Sequence, residues 1–176
     1  MMIEFSELPT ETVLKKLAHE FPQIDPIAVA AHIRIRNLAS QVNRVTERQL
    51  NKFGLSIARA GILIFLYDNE AGLPPSEIAR LLGVSRANLT NMVEALQEQG
   101  LIKRETNKSD GRIVQLQLTP KGRSLCQEFV PVHFKLLGVF NSELTESDLQ
   151  NFNLFVEKVR RGIRNAIENS AELTGS

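Results

Sequence analysis

The sequence predicts a mostly α-helical protein interrupted by one small β-hairpin. Three observations predict it. Between Ile27 and Lys52 there is no glycine or proline, and Ala31, Ile35, Leu38, Val42 and Val45 recur at spacings of four and three. Two short helical segments meet at the tight turn Gly83-Val84. A period-two alternation sets Val114, Leu116 and Leu118 against Gln115 and Gln117.

The elements follow in order. A short helix is expected from about Thr10 to Glu20. Asp25-Pro26 then places a capping side chain before a proline at the first helical position, which starts the long helix. Ser56 opens a helix to about Tyr67 whose interior, Ile62 to Leu66, is apolar all round and therefore buried. Asp68 to Pro75 reads as a turn. Ser76 is expected to cap a short helix with Ile78, Leu81 and Leu82 inward, and Gly83 ends it. Ser85 caps the next, with Val84 and Leu89 as a hydrophobic staple and Leu89, Met92, Val93 and Leu96 facing the core.

Gly100 stops that helix, and Leu96 and Leu101 are placed to close a Schellman contact across the stop. Strands are expected over Leu101–Glu105 and Val114–Leu118, flanking the charged turn KRETNKSDGR. Thr119-Pro120 starts a helix with Leu125, Phe129, Val132, Leu136 and Phe140 on its apolar side and a kink at Pro131. Thr145 caps the last helix, where Leu149, Phe152, Val156, Val159, Ile163 and Ala166 form a seam of coiled-coil type. The domain reading is an N-terminal extension (1–25), a dimerisation helix (26–55), a central domain (56–120), C-terminal dimerisation helices (121–170) and a frayed tail (171–176).

Composition narrows the function classes. The chain has 176 residues, 43% of them hydrophobic, enough for a buried core. One cysteine, Cys126, provides no disulfide pair and no thiol set for a metal; it reads as a small apolar filler. His19, His32 and His133 are scattered without ligand spacing, so no metal or other cofactor is expected. No nucleophile–base pair or phosphate-cradling glycine loop supports enzyme activity. There is no signal-like N-terminus and no apolar run long enough for a bilayer, so we expect a cytoplasmic, nucleoid-associated protein with no membrane partner.

Charge distribution says more than net charge. The total is +1, yet Lys103 to Arg123 holds six basic and two acidic residues, a local +4. Just before it lies a helix-turn-helix spacing whose second helix carries Ser85, Arg86, Asn88, Thr90 and Asn91 away from its apolar face. Short hydrogen-bonding side chains at a helix N-terminus suit base edges in a major groove. A winged helix-turn-helix explains both elements: one helix for the groove and a hairpin for the flanking backbone.

The stretch LPPSEIARLLGVSRANLTNMVEALQEQGLIKRETNKSDGRIVQLQLTPKG resembles the core of the MarR family of winged helix-turn-helix transcription regulators. The family hallmark is Asp-x-Arg in the wing followed by Leu-Thr-x-x-Gly, matched by Asp110-Gly111-Arg112 and Leu118-Thr119-Pro120-Lys121-Gly122. The resemblance implies that Arg112 enters the minor groove and that Asp110 braces the wing. It implies major-groove contacts from Ser85, Arg86, Asn88, Thr90 and Asn91, and phosphate contacts from Arg104 and Lys108. Replacing Arg86 or Asn88 is expected to change the preferred sequence.

It further implies a homodimer, most often a repressor, on a pseudo-palindromic operator in double-stranded DNA. Ile35, Leu38, Val42, Phe152, Val156, Val159 and Ile163 are the expected interface residues. The same resemblance implies a small-molecule effector, an aromatic or phenolic acid, met by His32, Arg36 or Arg59. Two other readings stay open: an effector-independent or architectural DNA-binding protein, and a winged-helix module that binds protein.

Overall fold

A computed structural model of the chain describes residues 11–106 and 114–169. It is mostly helical with a single antiparallel hairpin. The order is α1 (Glu11–Glu20), α2 (Pro26–Leu50), a 3-10 turn (Asn51–Phe53), α3 (Ile57–Asp68), α4 (Pro75–Leu82), α5 (Arg86–Glu98), β1 (Ile102–Thr106), β2 (Val114–Leu118), α6 (Pro120–Phe140) and α7 (Glu146–Glu168). The chain forms two compact units, 1–133 and 134–176. Helix α6 runs unbroken through Pro131, two residues before that division. Among the described residues, no single helix is long and apolar enough to cross a membrane.

Local chemistry sets the helix starts. Asp25 Oδ1 accepts hydrogen bonds from the Ile27 and Ala28 amides at 2.9 and 3.2 Å, satisfying donors that α2 leaves unpaired. Ser56 Oγ accepts from the Arg59 amide at 3.3 Å. Glu47 reaches across the break so that its Oε1 accepts from the Ile57 amide at 3.0 Å. Ser85 Oγ accepts from Asn88 at 3.2 Å and Thr119 Oγ1 from Gly122 at 3.0 Å.

The cap expected at Ser76 does not form. Helix α4 begins at Pro75, and Pro74 is its cap residue without a side-chain bond. Two prolines set the entry: Pro75 has its φ pre-set for the first helical position, where a missing N–H costs nothing. The inward face also shifts. Ile78 and Ala79 are buried, whereas Leu81 is 40% exposed.

The core of the first unit joins α3, α4, α5 and the hairpin with the start of α6. Leu55, Ile62, Leu63, Leu66, Ile78, Leu96, Leu116, Cys126 and Phe129 are almost fully buried. On α6 the inward residues are Gly122, Cys126 and Phe129, while Val132, expected inside, is 48% exposed. Cys126 is the predicted filler. Its thiol lies 3.7 Å from the Leu63 carbonyl, and burial pushes it up to about 11, so it stays protonated and inert at neutral pH.

The hairpin pairs Ile102 with Leu118, Arg104 with Leu116 and Thr106 with Val114. Leu73, in the stretch read as a plain turn, adds a third chain segment: its amide and carbonyl both bond Leu116, at 3.0 and 2.8 Å. Gly72 makes this approach possible. Its φ is +87°, and a β-carbon there would fall 2.7 Å from the Leu116 carbonyl oxygen.

Candidate nucleic-acid interface

Helix α5 is fixed at both ends. Its start has the Ser85 cap, with Val84 half-buried and Leu89 buried at the staple positions. At its end the Leu101 amide bonds the Leu96 carbonyl at 2.9 Å and the Gly100 amide bonds that of Gln97 at 2.8 Å, with Gly100 at φ +69°. That is the full Schellman pattern, and Leu96 and Leu101 are both buried behind it. Lys121 adds a clamp, donating from Nζ to the Gln99 carbonyl at 2.8 Å. The cation thereby offsets the negative end of the α5 dipole.

Leu89, Val93 and Leu96 anchor one face of α5 in the core, which turns the opposite face to solvent. All five predicted reading residues, Ser85, Arg86, Asn88, Thr90 and Asn91, are exposed. They do not form a single patch. At 100° per residue Asn88 stands about 160° round the helix from Arg86, with Asn91 between them on the outer crest. Arg86 and Thr90 lie one turn apart on the other flank. Ser85 Oγ is engaged with the Asn88 amide, and Thr90 Oγ1 donates to the Arg86 carbonyl at 2.9 Å. Two crest residues, Ala87 and Glu94, are exposed and were not anticipated; only their position relative to the buried face identifies them.

Alternation along the hairpin decides which strand cations face α5. Arg104 shares a face with Ile102, Leu116 and Leu118, the core side. Lys103 and Glu105 point the other way, beside Gln115 and Gln117, and are ion-paired with each other. A groove of about 540 Å3 separates α5 from the hairpin. It is lined by Pro74, Pro75 and Ser76 at the start of α4, by Arg86, Leu89, Thr90 and Val93 on α5, and by Arg104 and Val114 on the strands.

The local +4 is partly committed elsewhere. Arg123 pairs with Glu70 at 3.3 Å and lies 5.1 Å from the Tyr67 ring centroid. Lys121 is spent on the end of α5 and Lys103 on Glu105. Among the described residues, Arg86 and Arg104 have no ion-pair partner. Lys108, Asp110 and Arg112 lie outside the described residues.

The three effector candidates are not gathered within one chain. His32 and Arg36 are exposed on α2. Arg59 sits at the start of α3, its Nε donating to Ser56 Oγ at 3.4 Å, beside the Glu47–Ile57 contact. Eleven helical residues separate Arg36 from Glu47, a rise of roughly 16 Å. A different feature of α2 was missed. Thr46 Oγ1 and both amide atoms of Gln49 are buried without a hydrogen-bond partner among the described residues. Buried polar atoms normally find partners, so this pair is an unfilled donor–acceptor set. Burial revealed it; the sequence pattern alone had placed no ligand there.

The expected dimer residues are uncovered. On α2, Ile35 is 49% and Leu38 54% exposed, with Val42 half-buried. On α7, Phe152, Val159 and Ile163 are exposed and Val156 is half-buried.

Comparison with known proteins agrees with this geometry. Residues 53–113 match the model of the MarR family. The chain is 24% identical over 151 residues to the transcriptional repressor YetL of Bacillus subtilis, covering 85% of this chain and 90% of that protein. It is 27% identical over 162 residues to the transcriptional repressor MprA of Escherichia coli, covering 89% and 90%. Among solved structures, S. aureus MepR in complex with DNA superposes with a TM-score of 0.66 at 21% identity, covering 73% of this chain and 94% of that one. CouR from Rhodococcus jostii bound to p-coumaroyl-CoA gives 0.67 at 17%, covering 73% and 90%.

Proposed function

We propose, on the premise that this chain is a winged-helix transcription regulator of the MarR family, that it represses transcription as a homodimer on a pseudo-palindromic operator. The observation that carries this is the exposed outer face of α5 beside a groove walled by the hairpin, with two unpaired arginines on that groove. Asn88 and Asn91 on the crest take base edges, each able to exchange two hydrogen bonds with adenine. Arg112 and Lys108, braced by Asp110, extend the contact from the wing. Two copies, joined through Ile35, Leu38 and Val42 on α2 and Phe152, Val156, Val159 and Ile163 on α7, present two α5 helices to half-sites about one helical turn apart.

A small aromatic acid lowers the affinity by favouring a dimer whose two reading helices no longer match the half-site spacing. The buried, unpartnered atoms of Thr46 and Gln49 support a ligand position on α2, with His32, Arg36 and Arg59 as the flanking cations. CouR, with the same fold, was solved bound to p-coumaroyl-CoA.

Selection of bound sequences from random DNA tests the reading directly. The expected result is a two-fold symmetric consensus whose affinity drops steeply as salt rises. Titrating aromatic acids into that complex then tests the effector. A protein that selects no consensus, or binds without salt dependence, is not the regulator described.

A further inference from the structure

The groove between α5 and the hairpin carries an inference that rests on the DNA-binding reading and sharpens it. Two guanidinium-bearing residues line this one groove from opposite walls: Arg86 from α5 and Arg104 from β1. Neither has an ion-pair partner among the described residues, although Lys103, Arg80, Arg123 and Arg160 all do. Arranging two like charges around one cleft is unfavourable until an anion joins them. Pro74, Leu89, Val93 and Val114 make the remaining walls apolar, which strengthens any charge interaction there. The hydroxyl-bearing Ser76 and Thr90 complete the lining.

The helix geometry separates Arg86 from the readers. With Leu89 and Val93 fixed in the core, Arg86 and Thr90 stand on the hairpin side of α5, and Asn88 stands on the far flank. A helix laid in a major groove with Asn88 and Asn91 toward the bases therefore turns Arg86 toward the duplex backbone. We infer that Arg86 and Arg104 together clamp one phosphodiester of the operator, so that Arg86, expected from sequence to read a guanine, positions the helix without reading sequence.

The test uses the full-length protein and DNA selected by the wild type. Arg86→Ala and Arg104→Ala are each expected to weaken binding by about three- to ten-fold on every sequence tested and to lower the salt slope by about one. The selected consensus stays unchanged. The double variant loses less than the product of the two single losses, because both act on one phosphate. Arg86→Lys retains both consensus and most of the affinity, since a phosphate accepts a point charge where guanine needs the planar fork.

Placing a neutral methylphosphonate at each backbone position in turn should reveal one position at which neither alanine variant loses anything further. A changed base preference at a single position in Arg86→Ala overturns the clamp, as does full multiplicativity of the two losses. Inorganic phosphate displacing DNA beyond a chloride control of equal ionic strength also overturns it, by marking a free-anion site. Absence of any salt-dependent DNA binding by the wild type instead removes the underlying DNA reading, and is distinguishable because no variant is needed to see it.

Discussion

At Gly122 a side chain has no room: a β-carbon there would fall 2.0 Å from the Leu101 carbonyl oxygen and 3.2 Å from Leu118 Cδ2. The first turn of α6 crosses directly over the β1 entry, and the contact is backbone, so nothing flexible can yield. The same few residues hold the crossing: Thr119 Oγ1 donates to the Gly100 carbonyl at 2.7 Å, and the Thr119 amide bonds the Leu101 carbonyl at 3.0 Å. Gly122→Ala is expected to cost roughly 3 kcal/mol or more, at the top of the range for overpacking, because α6 and the hairpin must part. Urea denaturation measures it. A variant with an unchanged midpoint would mean that the crossing is looser than drawn. The Leu-Thr-x-x-Gly motif was legible in sequence as a motif. Its reason was not, since the clash arises between residues 21 apart. Side chains that act on their own neighbourhood were easier to read. Asp25, Ser56, Ser85 and Thr119 cap as expected because a cap depends on three or four adjacent residues. Ser76 failed because the competing Pro74-Pro75 signal is just as local and fixes the backbone first.

Among the elements, α7 has the most completely tied start. Thr145 Oγ1 accepts from the Asp148 amide at 3.2 Å, and Asp148 Oδ2 accepts from the Thr145 amide at 2.9 Å and its hydroxyl at 2.6 Å. The hydroxyl bond first, and the amide bond second, hold the Asp148 carboxyl below its ordinary range. A carboxylate depressed in the folded state stabilises above its unfolded value and loses that contribution as pH falls through the folded one. The helix should therefore hold from neutral pH to about pH 4 and weaken below it. Asp148→Asn, which cannot titrate, should close the gap to wild type as acid is added. Urea midpoints at a series of pH values check this, and a gap that stays constant down to pH 3 would refute it. Reading at the element scale succeeded where period and punctuation agree, as in α2, α5 and β2. It failed on which face turns inward when two were apolar. Val132 and Leu81 fit their helical patterns but are exposed, because the inward direction is set by packing partners distant in sequence: Leu63 against Cys126 and Phe53 against Phe129.

At the scale of the whole molecule, the unresolved demand is apolar surface. Among the described residues Ile35 and Leu38 on α2, and Phe152, Leu154, Phe155, Ile163 and Ile167 on α7, are each about half exposed or more. Monomers seldom leave such stripes in water. On α2 the other side is occupied: Ala30, Ile33, Asn37 and Ser40 are half-buried at spacings of three and four, and α1 packs on this helix. What remains is the seam of Ile27, Ala31, Ile35, Leu38, Val42 and Val45, continuous along the helix and free for a second chain. The sequence could locate this seam by its period, since a coiled-coil pattern is written in one strand of text, but a single chain cannot show its partner. We expect Leu38→Glu and Phe152→Glu to convert a dimer into a monomer, because each places a charge in the proposed contact without touching the core of its own chain. Sedimentation measures the state, and circular dichroism should show the helix content kept. Loss of the second half-site should then reduce operator affinity by at least about a hundred-fold, while binding to a single half-site changes little, because joining two sites multiplies affinity only when both can engage. Variants that stay dimeric would move the interface elsewhere on the chain. A wild type that sediments as a monomer while still selecting a symmetric operator would require the two copies to meet only on DNA.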